Sequence, residues 1–183
     1  MTCIVGITHN GNVIIGGDSC GSTGRATRQR ADPKVFKNGE FVIGFTDSFR
    51  MGQLLNYKFT PPPIAEDQDV FAYMATSFVE SVRQCLKDGG YTIVQNNEET
   101  GGSFLVGYRG RLFHIESDFQ VSEVLDSYDA TGCGMEYALG SLHTTAESDD
   151  EYPADRLTAA LDAASYFSPF VSAPYVILST NQD

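Results

Sequence analysis

Three dipeptides, Asn10-Gly11, Asn38-Gly39 and Arg109-Gly110, each stand between two short apolar segments, and no other feature limits the fold as much. A two-residue turn of this kind needs positive φ, which Asn and Gly tolerate, and its twist matches that of the flanking strands. Each therefore predicts an antiparallel hairpin. The first joins a strand over Thr2–Thr8, where Cys3, Val5 and Ile7 alternate with Ile4 and Gly6, to a strand over Asn12–Asp18. The second joins Lys34–Lys37 to Phe41–Thr46, with a further strand around Arg25–Gln29. The third joins Ser103–Tyr108 to Arg111–Glu116, and Ala173–Thr180 closes the chain as a last strand.

Helices fill the remainder. Ser48 is an N-cap for a helix running toward Tyr57, before Pro61-Pro62-Pro63. Over Asp69–Leu86 the residues Val70, Phe71, Met74, Phe78, Val82 and Leu86 recur at helical spacing, and Gly89-Gly90 ends the run. Gly132–Thr145 and Pro153–Phe167 read as two more helices, the latter with Leu157, Leu161 and Ala164 on one face. The acidic Glu147-Ser148-Asp149-Asp150-Glu151 between them reads as a solvated loop. Paired strands and paired helices pack most economically as an α+β fold: a four-layer αββα sandwich of two antiparallel sheets flanked by helix pairs.

At 183 residues the chain is expected to form a single domain over 1–183. Twenty-four acidic against twelve basic residues give a net charge of -12, which argues against a nucleic-acid partner, since phosphate binding needs clustered cations. No apolar run reaches the ~18 residues of a membrane helix. The Met1-Thr2-Cys3-Ile4-Val5 opening lacks the basic and apolar regions of a secretory signal, so a cytoplasmic location is expected. Cys3, Cys20, Cys85 and Cys133 are scattered, as are His9, His114 and His143. No metal site, disulfide framework or cofactor is expected.

Chemistry concentrates near the start. Thr2 is small enough for its initiator Met to be removed, which would leave a threonine with a free amine. A threonine hydroxyl is a weak nucleophile that needs a base, and its own α-amine can serve. A lysine ammonium nearby favours loss of the hydroxyl proton, and an aspartate is then needed to hold the lysine. Asp18, at the end of the second strand, lies sixteen residues after Thr2, and Lys34 lies thirty-two after it.

Thr2-Cys3-Ile4-Val5-Gly6-Ile7, Gly11 to Ser19, Lys34-Val35-Phe36 and Val42-Ile43-Gly44-Phe45 together resemble a proteasome β-type subunit. The bacterial HslV-type peptidase is similar in length and opening. That family has its Asp and Lys at the same two spacings from the catalytic Thr. The resemblance implies an N-terminal-nucleophile (Ntn) hydrolase fold assembled into a homo-oligomeric ring, with an AAA+ unfoldase as partner and protein or peptide as substrate. Carried over by position, Thr2 is the nucleophile, its amine the base, Lys34 the activator and Asp18 the partner of Lys34.

The departures are as specific. Cys133, in Thr131-Gly132-Cys133-Gly134, takes the place of the family's Ser beside the catalytic amine, and a thiol hydrogen-bonds more weakly. Asp47, in Gly44-Phe45-Thr46-Asp47, takes the place of the Gly whose amide helps form the oxyanion hole, where a carboxylate opposes the charge to be stabilised. The family's late acidic residue aligns with Tyr166, with Ser168 as a partial substitute. Cys3 reads as a buried strand residue and Cys20 as a small loop residue. Two other readings use the same fold. One is a catalytically inactive structural or assembly protein of the kind phages encode, and the other is an amidase acting on a small molecule.

Overall fold

The computed structural model describes residues 2–146 and 152–181; Met1 and the acidic stretch 147–151 lie outside the described residues. Asn10 and Gly11, at φ 48° and 75°, turn the chain between β1 (Ile4–His9) and β2 (Asn12–Gly17). A small ribbon follows, β3 (Cys20–Ser22) against β4 (Thr27–Gln29), and then the predicted hairpin of β5 (Val35–Asn38) and β6 (Phe41–Phe45). Lys34 stands one residue ahead of β5, outside the strand in which it was expected.

Ser48 caps α1 (Phe49–Tyr57) by accepting from the Arg50 amide. Residues 70–88 are helical, as the periodicity predicts, but in three pieces: α2 (Val70–Tyr73), a π-helical turn (Met74–Phe78) and α3 (Val79–Asp88). Five residues, and not four, separate the inward pairs Tyr73/Met74 and Phe78/Val79, so Phe71 turns out to solvent while Tyr73 is fully buried.

An unpredicted hairpin, β7 (Ile93–Gln95) and β8 (Glu98–Thr100), precedes the predicted pair β9 (Phe104–Tyr108) and β10 (Arg111–Ile115). Two more unpredicted strands follow, β11 (Val121–Glu123) and β12 (Tyr128–Thr131). The third helix, α4 (Met135–Thr144), starts three residues later than its pattern suggests, because Gly132 holds φ 98°. Then come α5 (Pro153–Phe167) and β13 (Val176–Ser179).

The main strands form two antiparallel sheets, ordered β12-β1-β2-β13 and β11-β10-β9-β6-β5. Side-chain alternation decides what each face meets. From the first segment, Ile4 joins Val13, Ile15, Val35, Val42, Leu105 and Leu112 in one cluster contributed by both sheets. Cys3, Val5 and Ile7 point the other way, onto Ala138 and Leu142 of α4 and Leu157 and Leu161 of α5. On the second sheet Val42 joins the shared cluster, whereas Ile43 and Phe45 pack with Met51 and Leu55 of α1 and with Phe78 and Val82. Each such aliphatic or aromatic side chain contributes about 1.5–3 kcal/mol when fully buried.

Candidate active site

Strand register brings the sequence-predicted residues together. Ile4 pairs with Gly17 on one side and with Thr131 on the other. The residues just before Ile4 are therefore flanked by Asp18 on one edge and by Gly132-Cys133 on the other. The Cys3 amide donates to Asp18 Oδ1 at 2.9 Å, and the Asp18 amide returns a bond to Cys3 O at 3.3 Å. Opposite, the Thr2 N–H donates to Cys133 Sγ at 3.2 Å, and the Gly134 amide donates to Thr2 O at 3.3 Å.

Lys34 reaches this point from the second sheet. Its Nζ donates to Asp18 Oδ1 at 2.9 Å, and its side chain is 1% exposed. Asp18 Oδ2 accepts from the Cys20 amide at 2.8 Å, so one carboxylate collects three donors. An ion pair this deep is tolerable only when it is matched and otherwise hydrogen-bonded. Because Oδ1 is shared, the ammonium is fixed beneath the Thr2–Cys3 peptide.

Asp47 departs from its expected effect. It occupies a left-handed conformation, φ 58°, which Asp tolerates better than most residues. Its carboxylate turns onto the Ser103 amide at 2.8 Å and lies 3.1 Å from Thr46 Oγ1. The charge is thereby met by donors, while residue 47 still contributes to the wall of a cavity of about 40 Å³ shared with Thr2, Ser22, Phe45, Thr46, Ser48 and Phe49.

Behind that wall lies a hydrogen-bonded chain that sequence reasoning missed. Ser103 Oγ is 3.0 Å from Thr131 Oγ1 and 2.8 Å from His114 Nε2, and His114 Nδ1 is 3.0 Å from Asp129 Oδ2. His114 thus bridges Ser103 and Asp129 through its two ring nitrogens, with Glu116 Oε1 3.7 Å from Nε2. The distances are those of a hydrolytic triad, yet the Ser103 amide already serves Asp47 and its hydroxyl is tied to Thr131. The chain links the second sheet to β12 and steadies the loops that carry residues 46–47 and 132–133.

Ser168 and Tyr166 separate clearly. Ser168 is buried, its Oγ 3.9 Å from Cys133 Sγ and accepting from the Phe170 amide at 3.4 Å. Tyr166 is 84% exposed and contributes no side chain to the site. Burial above all, then the charges of Asp18 and Cys133, push the Cys3 thiol up from an ordinary 9.0 to about 12, so it is a packed residue just ahead of β1 and not a nucleophile. Cys20 is buried with its amide on Asp18. Among the described residues no three His, Cys, Asp or Glu converge to hold a metal ion, and no helix is long and apolar enough to cross a membrane.

No protein-family model and no curated protein matches this sequence. Solved structures do. Thiobacillus denitrificans BPH in complex with epoxomicin superposes with a TM-score of 0.83 at 19% identity over 97% of both chains. Eukaryotic HslV from Trypanosoma brucei gives 0.68 at 17% identity, over 97% of this chain and 98% of that one. Anbu, described as an ancestral beta-subunit, from Yersinia bercovieri gives 0.66 at 16% identity, over 97% and 81%. At such identities the likeness is one of fold.

Proposed function

We propose that this chain, whose fold is the proteasome-type Ntn fold of HslV and Anbu, is a threonine-type endopeptidase acting once Met1 has been removed. The two sheets with helices packed on both would then be the four-layer αββα sandwich of that class. The observation that carries the reading is the sharing of Asp18 Oδ1 between Lys34 Nζ and the Cys3 amide, each at 2.9 Å. It sets a buried cation against the residue that would be the nucleophile.

In the reaction, Thr2 Oγ attacks the substrate's peptide carbonyl carbon and gives its proton to the Thr2 α-amine. Lys34 favours the developing alkoxide and opposes protonation of the amine before attack. The backbone N–H of residue 47 is the donor offered to the carbonyl oxygen as it becomes an oxyanion. When the C–N bond breaks, the α-ammonium returns the proton to the leaving amine, and an ester on Thr2 Oγ remains. Water, deprotonated by the same amine, hydrolyses that ester, releases the carboxylate product and restores the hydroxyl. Cys133 Sγ, 3.2 Å from the Thr2 nitrogen, orients the amine in the role the family gives to Ser, with Ser168 behind it. Asp18 acts through Lys34.

Likeness to HslV brings with it a self-assembled ring and a feeding AAA+ unfoldase in the cytoplasm, and both belong to the proposal. Protein prepared to begin at Thr2 is expected to cleave fluorogenic peptides, with about 10³-fold or greater loss in Thr2→Ala. Absence of cleavage, with no adduct from an epoxyketone such as the epoxomicin bound to BPH, would overturn it.

A further inference from the structure

Six non-glycine residues hold a positive φ among the described residues. Asn10, Asn96, Asn97, Arg109 and Phe119 lie in turns between paired strands, where pairing on both sides fixes the turn. Asp47 does not. It stands between β6 and α1, at φ 58°, in the wall of the cavity at Thr2. A Cβ disfavours that conformation, so a residue kept there has to be held by its surroundings.

The hold comes from Ser103, just ahead of β9. Its amide donates to Asp47 Oδ2 at 2.8 Å, and its carbonyl accepts from the Thr46 amide at 3.1 Å and from Thr46 Oγ1 at 2.8 Å. A Cβ on the preceding Gly102 would come within 3.0 Å of Asp47 Oδ2, so glycine there lets the two segments meet. The Ser103 hydroxyl works in the other direction. Its Oγ lies 3.0 Å from Thr131 Oγ1 and 2.8 Å from His114 Nε2, and the second ring nitrogen of His114 is tied to Asp129. Thr131 leads directly into Gly132, where a Cβ would lie 2.4 Å from Thr2 O and 3.2 Å from Thr46 Cγ2. One serine therefore joins the segment that carries residue 47 to the segment that carries Cys133. A hydroxyl with one hydrogen serves both neighbours by giving to one and accepting from the other, which suits a tether.

We propose that Ser103 is a positioning residue for the reaction at Thr2: it holds residue 47 with its amide offered to the oxyanion, and His114, braced by Asp129, holds Ser103. The inference rests on the peptidase reading and adds to it. A tether that only stabilised the fold would move the melting temperature and leave the folded chain's kcat alone. One that aims an oxyanion donor acts in the transition state and shows in kcat. In the chain beginning at Thr2, Ser103→Ala is expected to lower kcat for a fluorogenic peptide about 10-fold or more, with KM within about 2-fold. Ser103→Thr, which keeps the hydroxyl, should recover most of the loss. His114→Asn keeps a group facing Asp129 but is too short to reach Ser103; alone it should lower kcat, and it should add little to Ser103→Ala. Amide exchange followed by NMR needs no turnover: the Thr46 and Ser103 amides should exchange about 10-fold faster in Ser103→Ala. Unchanged kcat, a rise in KM that accounts for the whole loss, or unchanged exchange would overturn the inference. Faster exchange in Ser103→Ala, when the chain with Ser103 in place cleaves nothing, would instead sink the peptidase reading and leave the tether standing.

Discussion

Three donors converge on the Asp18 carboxylate, from the Cys3 and Cys20 amides and from Lys34 Nζ, so removing the lysine strands a buried anion. Lys34→Met is expected to lower the unfolding free energy by about 3–5 kcal/mol in urea titrations, and to abolish Thr2 reactivity. Adding Asp18→Asn should recover part of the stability, because the amide carries no charge, without recovering reactivity. Recovery of both would contradict the role given to Lys34. The cysteines offer an independent check. Thiolate is the reactive form, and with its thiol held up at about 12, Cys3 stays protonated as pH rises from 7 to 9. Iodoacetamide mapping over that range should therefore label exposed Cys133 and spare Cys3 and Cys20 until the chain unfolds. Thr2, Asp18 and Lys34 were legible because they stand at fixed offsets within one opening segment, and Cys133 because Thr131-Gly132-Cys133-Gly134 follows the pattern of the family resembled. Ser103, His114 and Asp129 were not. They come from separate parts of the chain, with no motif between them, and only strand pairing makes them neighbours. The choice between Tyr166 and Ser168 turned on which side of the end of α5 faces inward, and a loose alignment does not fix that.

At the scale of elements, the hairpins were legible because a two-residue turn needs particular residues. Strand β12 was not, since Tyr128-Asp129-Ala130-Thr131 alternates over only four residues and carries a carboxylate and a hydroxyl on its second face. It is nevertheless buried along its length because His114 and Ser103 satisfy its polar side chains. The long helix was found, but its face was assigned by α periodicity alone, and the π-helical turn at Met74–Phe78 shifts which residues turn inward. Deleting Ser77, an exposed residue in that turn, should convert it to regular α-helix and keep both inward pairs in place, costing no more than about 1 kcal/mol. Deleting Gln84 from α3 should rotate Leu86 off the core and cost more than about 2 kcal/mol. Thermal melts of the two single-residue deletions compare them directly, and equal losses would contradict this account of the turn.

At the scale of the molecule, the cation on one sheet reaches the threonine on the other because the sheets approach closely, and glycine sets that approach. A Cβ at Gly44 would lie 2.6 Å from Ile4 Cγ2 and 2.8 Å from Ile15 Cγ2, and one at Gly107 would lie 2.7 Å from Val13 Cβ. Gly44→Ala is expected to cost about 1–3 kcal/mol through overpacking. It should also slow Thr2 labelling disproportionately, because Ile4 is two residues from Thr2 and Lys34 directly precedes β5, the strand paired with β6. The most direct test of the whole account is the intact mass of the protein from its native host, before and after a peptide epoxyketone. The account predicts a mass lacking Met1 that gains one adduct, with no adduct in Thr2→Ala. A mass that retains Met1 and takes up no probe would contradict it.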